Sequence, residues 1–110
     1  TTISPVMIRL IREDLGFAGL LMTDDISMEA LGGTVAERGT AALAAGCDLV
    51  LHCNGALDEM QGLAAVAGPM SDAAKARAEA ALALRTAPPA IDIPAAEAEL
   101  EALLHGEVYV

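Results

Sequence analysis

Two carboxylates stand side by side in "GFAGLLMTDDIS", residues 16–27: Asp24 and Asp25 directly follow an apolar stretch. Adjacent negative charges repel, and a low-dielectric setting sharpens the cost, so the pair needs a reason to be there. Side chains alternate across an extended strand, so the two carboxylates point to opposite sides. They are then not a dyad sharing one proton. One is free to act as nucleophile or metal ligand while the other organises the following loop. Asp is also common in turns just after strands, so the pair taken by itself leaves function and turn formation both open.

The surrounding elements decide where such a carboxylate would sit. Ser4-Pro5 starts a helix, with Ser as cap and Pro in the first turn. Val6, Met7, Leu10, Ile11 and Leu15 follow at helical spacing, and Gly16 stops it. Residues 19–23 form a strand whose unbroken apolar run predicts burial on both faces, as in parallel sheets. Residues 25–33 are a loop. Thr34 and Glu37 form a capping box that opens a helix stopped by Gly46. "DLVLHCN", residues 48–54, is a second strand and Asn54-Gly55 a turn. Helices follow around Leu57–Ala64, from the Ser71 cap to Arg85, and from about Pro94 to Leu104, with Pro88-Pro89 as a linker. Strand, helix and strand within so short a span make a βαβ unit, hence parallel strands with a right-handed crossover. Asp24 and Asn54 are expected at the same end. A two-stranded parallel sheet is not a stable domain alone, so the expected fold class is α/β, part of a larger α/β protein. The chain also opens on Thr1 rather than Met, as expected of a processed product or a piece of a longer chain.

Composition narrows the partners. With 6 basic and 16 acidic residues the net charge is −10, which argues against nucleic acid, whose phosphates need a basic face. Aromatics at 2% supply no stacking platform. No apolar run approaches the roughly 20 residues of a membrane span. Cys47 and Cys53 lie at the two ends of the second strand, too far apart along it for a disulfide. Free, buried thiols are expected, which fits a reducing, cytoplasmic compartment.

The stretch "LIREDLGFAGLLMTDDIS" resembles the active-site signature of glycoside hydrolase family 3. Leu10-Ile11, Arg12, Asp14, Gly19, Leu20-Leu21-Met22, Thr23 and Asp24 stand in its order. The continuation "DDISMEAL" and then "AERGTAALAAGCDLVLHCN" is similar to one branch, the bacterial β-N-acetylhexosaminidases of the NagZ type, over roughly residues 4–85. The resemblance implies the C-terminal portion of a (β/α)₈ TIM-type barrel. Residues 1–86 would hold the last two parallel strands and their helices, and residues 87–110 a linker and terminal helix. This piece is incomplete as a stand-alone fold and is expected to be inactive without the rest of the barrel. The implied activity is retaining hydrolysis of terminal β-linked N-acetylglucosamine from peptidoglycan-derived muropeptides, with Asp24 as nucleophile. Asp25, Ser27 and Met28 are expected around the sugar; loop organisation is an equal role for Ser27 and Met28 and the main one for Asp25. The substrate would be a small amino-sugar glycoside, with no cofactor and no metal.

The branch's acid/base group, a His backed by an Asp, belongs to a loop well upstream of the nucleophile, and nothing in this chain matches it. His52 is expected to pack in the second strand, where relatives have an apolar residue, and His105 to sit at a helix end, where positive charge complements the dipole. Asp48 is a structural residue at the start of its strand. Arg12, Glu13 and Asp14 form a polar helix face. Arg38 is within reach of the active-site mouth, near which its helix starts, and the run "AKARAEAALALR", residues 74–85, is a surface helix. Two other readings remain. A receiver-like phospho-acceptor domain also puts Asp at a strand end, but needs acidic Mg²⁺ ligands on another strand and a nearby Lys. Lys75, the single lysine, lies in a distant helix. The other is a non-catalytic piece of an α/β assembly.

Overall fold

A computed structural model describes residues 2–53 and 55–104. Helix α1 (Pro5–Arg9) begins as its sequence demands: Ser4 Oγ accepts the Met7 N–H and Pro occupies the first turn. The helix then widens into a π-helical turn over Leu10–Asp14, with the Leu15 N–H reaching back to the Leu10 carbonyl at 3.0 Å. Periodicity alone predicts one uniform helix here. Gly16, at φ 67°, turns the chain out in the left-handed region that glycine enters without steric cost.

Strand β1 is Met22–Asp25, three residues later than the apolar run predicts. The correction has a local cause. The carbonyls of Phe17 and Gly19 are taken by the Arg12 guanidinium, at 3.0 and 2.6 Å, so that stretch does not join a ladder. Pairing starts at Leu21, whose carbonyl accepts from Asp48 and Leu49. It runs on to Ile26, whose N–H donates to the Leu51 carbonyl at 2.9 Å. The Asp pair therefore lies within the strand rather than after it. Burial on both faces is also not met within this chain, because Met22 is 51% exposed.

Helix α2 (Val35–Ala45) carries the full capping box: Thr34 accepts from Glu37 N–H while Glu37 accepts from Thr34. Such a cap contributes about 1 kcal/mol. Gly46, at φ 111°, ends the helix. Strand β2 is short, Leu49–Leu51, so His52 and Cys53 fall beyond it and not inside it. The strands are adjacent and parallel, as the βαβ reading requires. The Asn54 half of the expected same-end placement lies outside the described residues, as do His105 and the tail after it. Helices α3 (Leu57–Ala67), α4 (Asp72–Ala83, capped by Ser71) and α5 (Ile93–Leu103) complete the order.

The core is small. Ile8, Ala42 and Cys47 meet under Leu21 and Val50, and Ile26 is fully buried, where an aliphatic side chain contributes about 1.5–3 kcal/mol. Gly39 lets α3 close on α2, since a Cβ there would overlap Leu63. Against this, Leu57, Leu82, Leu84, Ile93, Leu100 and Leu103 are all exposed. The radius of gyration is 18.9 Å, whereas a compact domain of this length would have about 13 Å. The described residues form a small α/β unit that leaves much of its apolar surface uncovered. Among them, no helix is long and apolar enough to cross a membrane.

Candidate active site

The register of the sheet shapes the site. Met22 pairs with Leu49 and Asp25 with Leu51, so two residues of β1, Thr23 and Asp24, oppose one residue of β2. This is a β-bulge, a device that re-aims a side chain next to a site. Buried Thr23 repairs the broken ladder: its hydroxyl accepts the Leu51 N–H at 2.9 Å. The hydroxyl thus replaces a backbone acceptor, a physical reason for Ser or Thr before Asp24.

Asp24 is exposed and lines a hollow with Met7, Ile11 and Met22. One of its oxygens, Oδ1, accepts the Asp25 N–H at 2.8 Å. Asp25 is turned the other way, into the loop. Its Oδ2 accepts the Ser27 hydroxyl at 2.5 Å, and its Oδ1 accepts the N–H groups of Ser27 (3.0 Å) and Cys53 (3.2 Å). These bonds, the Ser27 hydroxyl foremost and then its N–H, hold the Asp25 carboxyl down at about 2. Strand alternation anticipates this division between an open Asp24 and an inward Asp25. Ser27 and Met28 are half-buried in the same turn. Arg38 fixes that turn from α2, donating to the carbonyls of Ile26 (2.9 Å) and Met28 (3.1 Å).

A pH dependence follows. The folded carboxyl of Asp25 is depressed from 3.8 to about 2, so its contribution is fully present above 3.8 and is lost as pH falls through 2. Amide protection at Ser27 and Cys53, read by hydrogen exchange, should therefore decline between about pH 4 and 2. In Asp25→Asn that acid step should disappear. Protection unchanged down to pH 2 in the parent chain would remove the carboxylate from this role.

The opposite end of the sheet is built for stability. Asp48, 5% exposed at its side chain, accepts from Arg12 at 2.6 Å, Arg77 at 2.7 Å and the Leu21 N–H at 2.9 Å. Burial raises its carboxyl's pKa, but these donors outweigh burial and the net shift is downward. Arg12 is thus a clamp rather than a mere polar face, and Arg77 ties a helix expected to be only surface to the sheet. Cys47 is buried, and burial pushes its thiol up. Cys53 is exposed, against the expectation of two buried thiols, because β2 ends before it. Neither forms a disulfide.

Sequence reasoning missed the surroundings of His52. Its ring is buried, with Nδ1 3.7 Å from Asp25 Oδ1 and Nε2 3.6 Å from Glu59 Oε2. A polar residue in an apolar run was the one available signal. Lys75 faces Asp72 on its own helix at 3.9 Å and gives Asp24 no receiver-type lysine. No cluster of metal-ligating side chains occurs among the described residues.

The model of the glycosyl hydrolase family 3 N-terminal domain matches residues 1–83. The chain belongs to this family. The glycosyl hydrolase family 3 segment is 52% identical over 48 residues to a beta-hexosaminidase of Methylobacillus flagellatus, covering 42% of this chain and 14% of that protein. It is 51% identical over 49 residues to a beta-hexosaminidase of Vibrio cholerae, with 42% and 14% covered. With a beta-hexosaminidase of Photobacterium profundum the identity is 39% over 69 residues, 58% of this chain and 21% of the other. The matched stretch is thus a small fraction of the length of these relatives.

Proposed function

We propose that this family 3 segment carries the nucleophile of a retaining β-N-acetylhexosaminidase, and that the nucleophile is Asp24. The observation that carries the reading is the open Asp24 carboxylate beside the bulge, at the C-terminal end of a parallel strand, the end where α/β enzymes do their chemistry. The free oxygen of Asp24 attacks the anomeric carbon. The glycosidic C–O bond breaks, and the leaving oxygen takes a proton from an acid contributed from outside these residues. Water, deprotonated by the same group, then attacks the anomeric carbon, and the bond to Asp24 breaks. Asp25 holds the turn, while Ser27 and Met28 line the sugar.

In this reading β1 and β2 are two strands of a (β/α)₈ barrel. The exposed apolar side chains of the segment face the rest of that barrel. The substrate class is a terminal β-linked N-acetylglucosamine, as on peptidoglycan-derived muropeptides, handled in a reducing cytoplasm where Cys47 and Cys53 stay thiols. The test is a fluorinated N-acetylglucosaminyl fluoride applied to the full-length enzyme, since such a reagent traps the glycosyl-enzyme ester. Peptide mapping should find the label on Asp24. Label on Asp25 would shift the motif by one residue, and turnover without any trapped ester would remove the covalent mechanism.

A further inference from the structure

His52 sits where a buried polar group has to answer for itself. Its side chain is 5% exposed, and among the described residues neither ring nitrogen has a hydrogen-bond partner. An unsatisfied buried imidazole is costly. Yet the ring lies between two carboxylates, Asp25 Oδ1 at 3.7 Å and Glu59 Oε2 at 3.6 Å, one at each nitrogen. Both distances lie just outside hydrogen-bond range. Both carboxylates are held independently of the ring. Asp25 closes the turn after Asp24, and Glu59 accepts the Ala56 N–H at the start of α3, at 3.2 Å. Gly55 keeps the place open for the imidazole, since a Cβ there would overlap the ring.

A neutral imidazole donates from one nitrogen only, whereas the imidazolium donates from both. Only the charged ring can satisfy Asp25 and Glu59 together. We propose that His52 is a positioning residue for the Asp24 turn, bridging Asp25 on β1 to Glu59 on α3 and holding the turn more tightly when its ring is doubly protonated. The other charged groups nearby are committed elsewhere. Arg38 of α2 is on the Ile26 and Met28 carbonyls, and Asp48, which lines the same groove as His52, is on Arg12 and Arg77. The Cys53 thiol is exposed, and the Cys53 N–H is already on Asp25. An unperturbed histidine side chain changes charge between about pH 5 and 8, which sets the window for the test.

The first test uses the full-length protein and needs no variant. Protection factors of the Ser27 and Cys53 amides are followed by hydrogen exchange from pH 5 to 8, alongside the His52 ring signals by NMR. Protection should fall as pH rises, in step with the ring's deprotonation. A ring that titrates while protection stays flat would overturn the proposal, as would a ring that does not titrate in that range. His52→Gln, which keeps a polar side chain but cannot charge, should flatten the profile. It should also lower kcat by about tenfold with little change in KM, short of the roughly 100-fold that an ångström of misplacement can cost. An equal loss at every pH would reduce His52 to a packing residue and overturn the bridge. The kinetic part rests on the glycosidase reading. The exchange part does not, so an inactive protein with the expected protection profile would count against Asp24 chemistry and not against the bridge.

Discussion

Asp24→Ala in the full-length enzyme should lower kcat by several orders of magnitude and leave substrate affinity nearly intact. The attacking carboxylate acts chiefly in the transition state, so its removal appears in kcat and in kcat/KM alike. At 1.36 kcal/mol per factor of ten, a loss of about 10⁴ corresponds to roughly 5 kcal/mol of the barrier. Among the described residues the side chain is exposed and its one hydrogen bond is to the next residue's N–H, so the variant should melt as the parent does. Asp25→Asn should behave differently, with a smaller kinetic loss and a looser turn. That carboxylate accepts three hydrogen bonds from Ser27 and Cys53. Steady-state kinetics with an aryl N-acetylglucosaminide, paired with thermal melts, separate the two. Near-normal turnover by Asp24→Ala would end the nucleophile assignment.

The second large effect is expected at the far end of the sheet. Asp48→Ala leaves Arg12, 17% exposed, without its carboxylate, together with Arg77 and the Leu21 N–H. Breaking a buried pair by removing one partner costs about 3–5 kcal/mol. The lower end applies here, because Arg77 is a third exposed and can return to water. Urea denaturation of the full-length protein should show the midpoint falling with an unchanged slope. Catalysis at low temperature should persist, since Asp48 precedes β2 whereas Asp24 stands where β1 ends. An unmoved midpoint would show that the two arginines are held by solvent rather than by Asp48.

What the sequence revealed and what it hid divide by distance along the chain. The caps at Ser4, Thr34 and Ser71 and the stops at Gly16 and Gly46 are local chemistry, and each is found where the residue types put it. The parallel βαβ unit followed from spacing alone. The family signature lies within one helix and one strand, so it was legible from quoted residues, and the family match covers residues 1–83. The limits of β1 were not legible, because a side chain, that of Arg12, captures two carbonyls that an apolar run would otherwise lend to a ladder. Nor was the bulge, which exists only once Thr23 meets Leu51 across the sheet. Pairs such as Arg77 with Asp48 and His52 with Asp25 join residues about thirty positions apart. Periodicity carries no record of such meetings.

In the mechanism proposed for Asp24, the bond from the Asp25 N–H to Asp24 Oδ1 bears on the second half of the reaction. With Oδ1 engaged, Oδ2 is the oxygen available to join the sugar, and Oδ1 becomes the carbonyl oxygen of the resulting ester. When water later displaces the carboxylate, the bonding pair stays on Oδ2, the charge spreads over both oxygens, and the amide dipole is already aimed at Oδ1. In that mechanism a main-chain donor helps Asp24 to leave. Every replacement at position 25 except proline keeps that N–H, so the Asp25 side chain bears on the departure step only through the order of the turn.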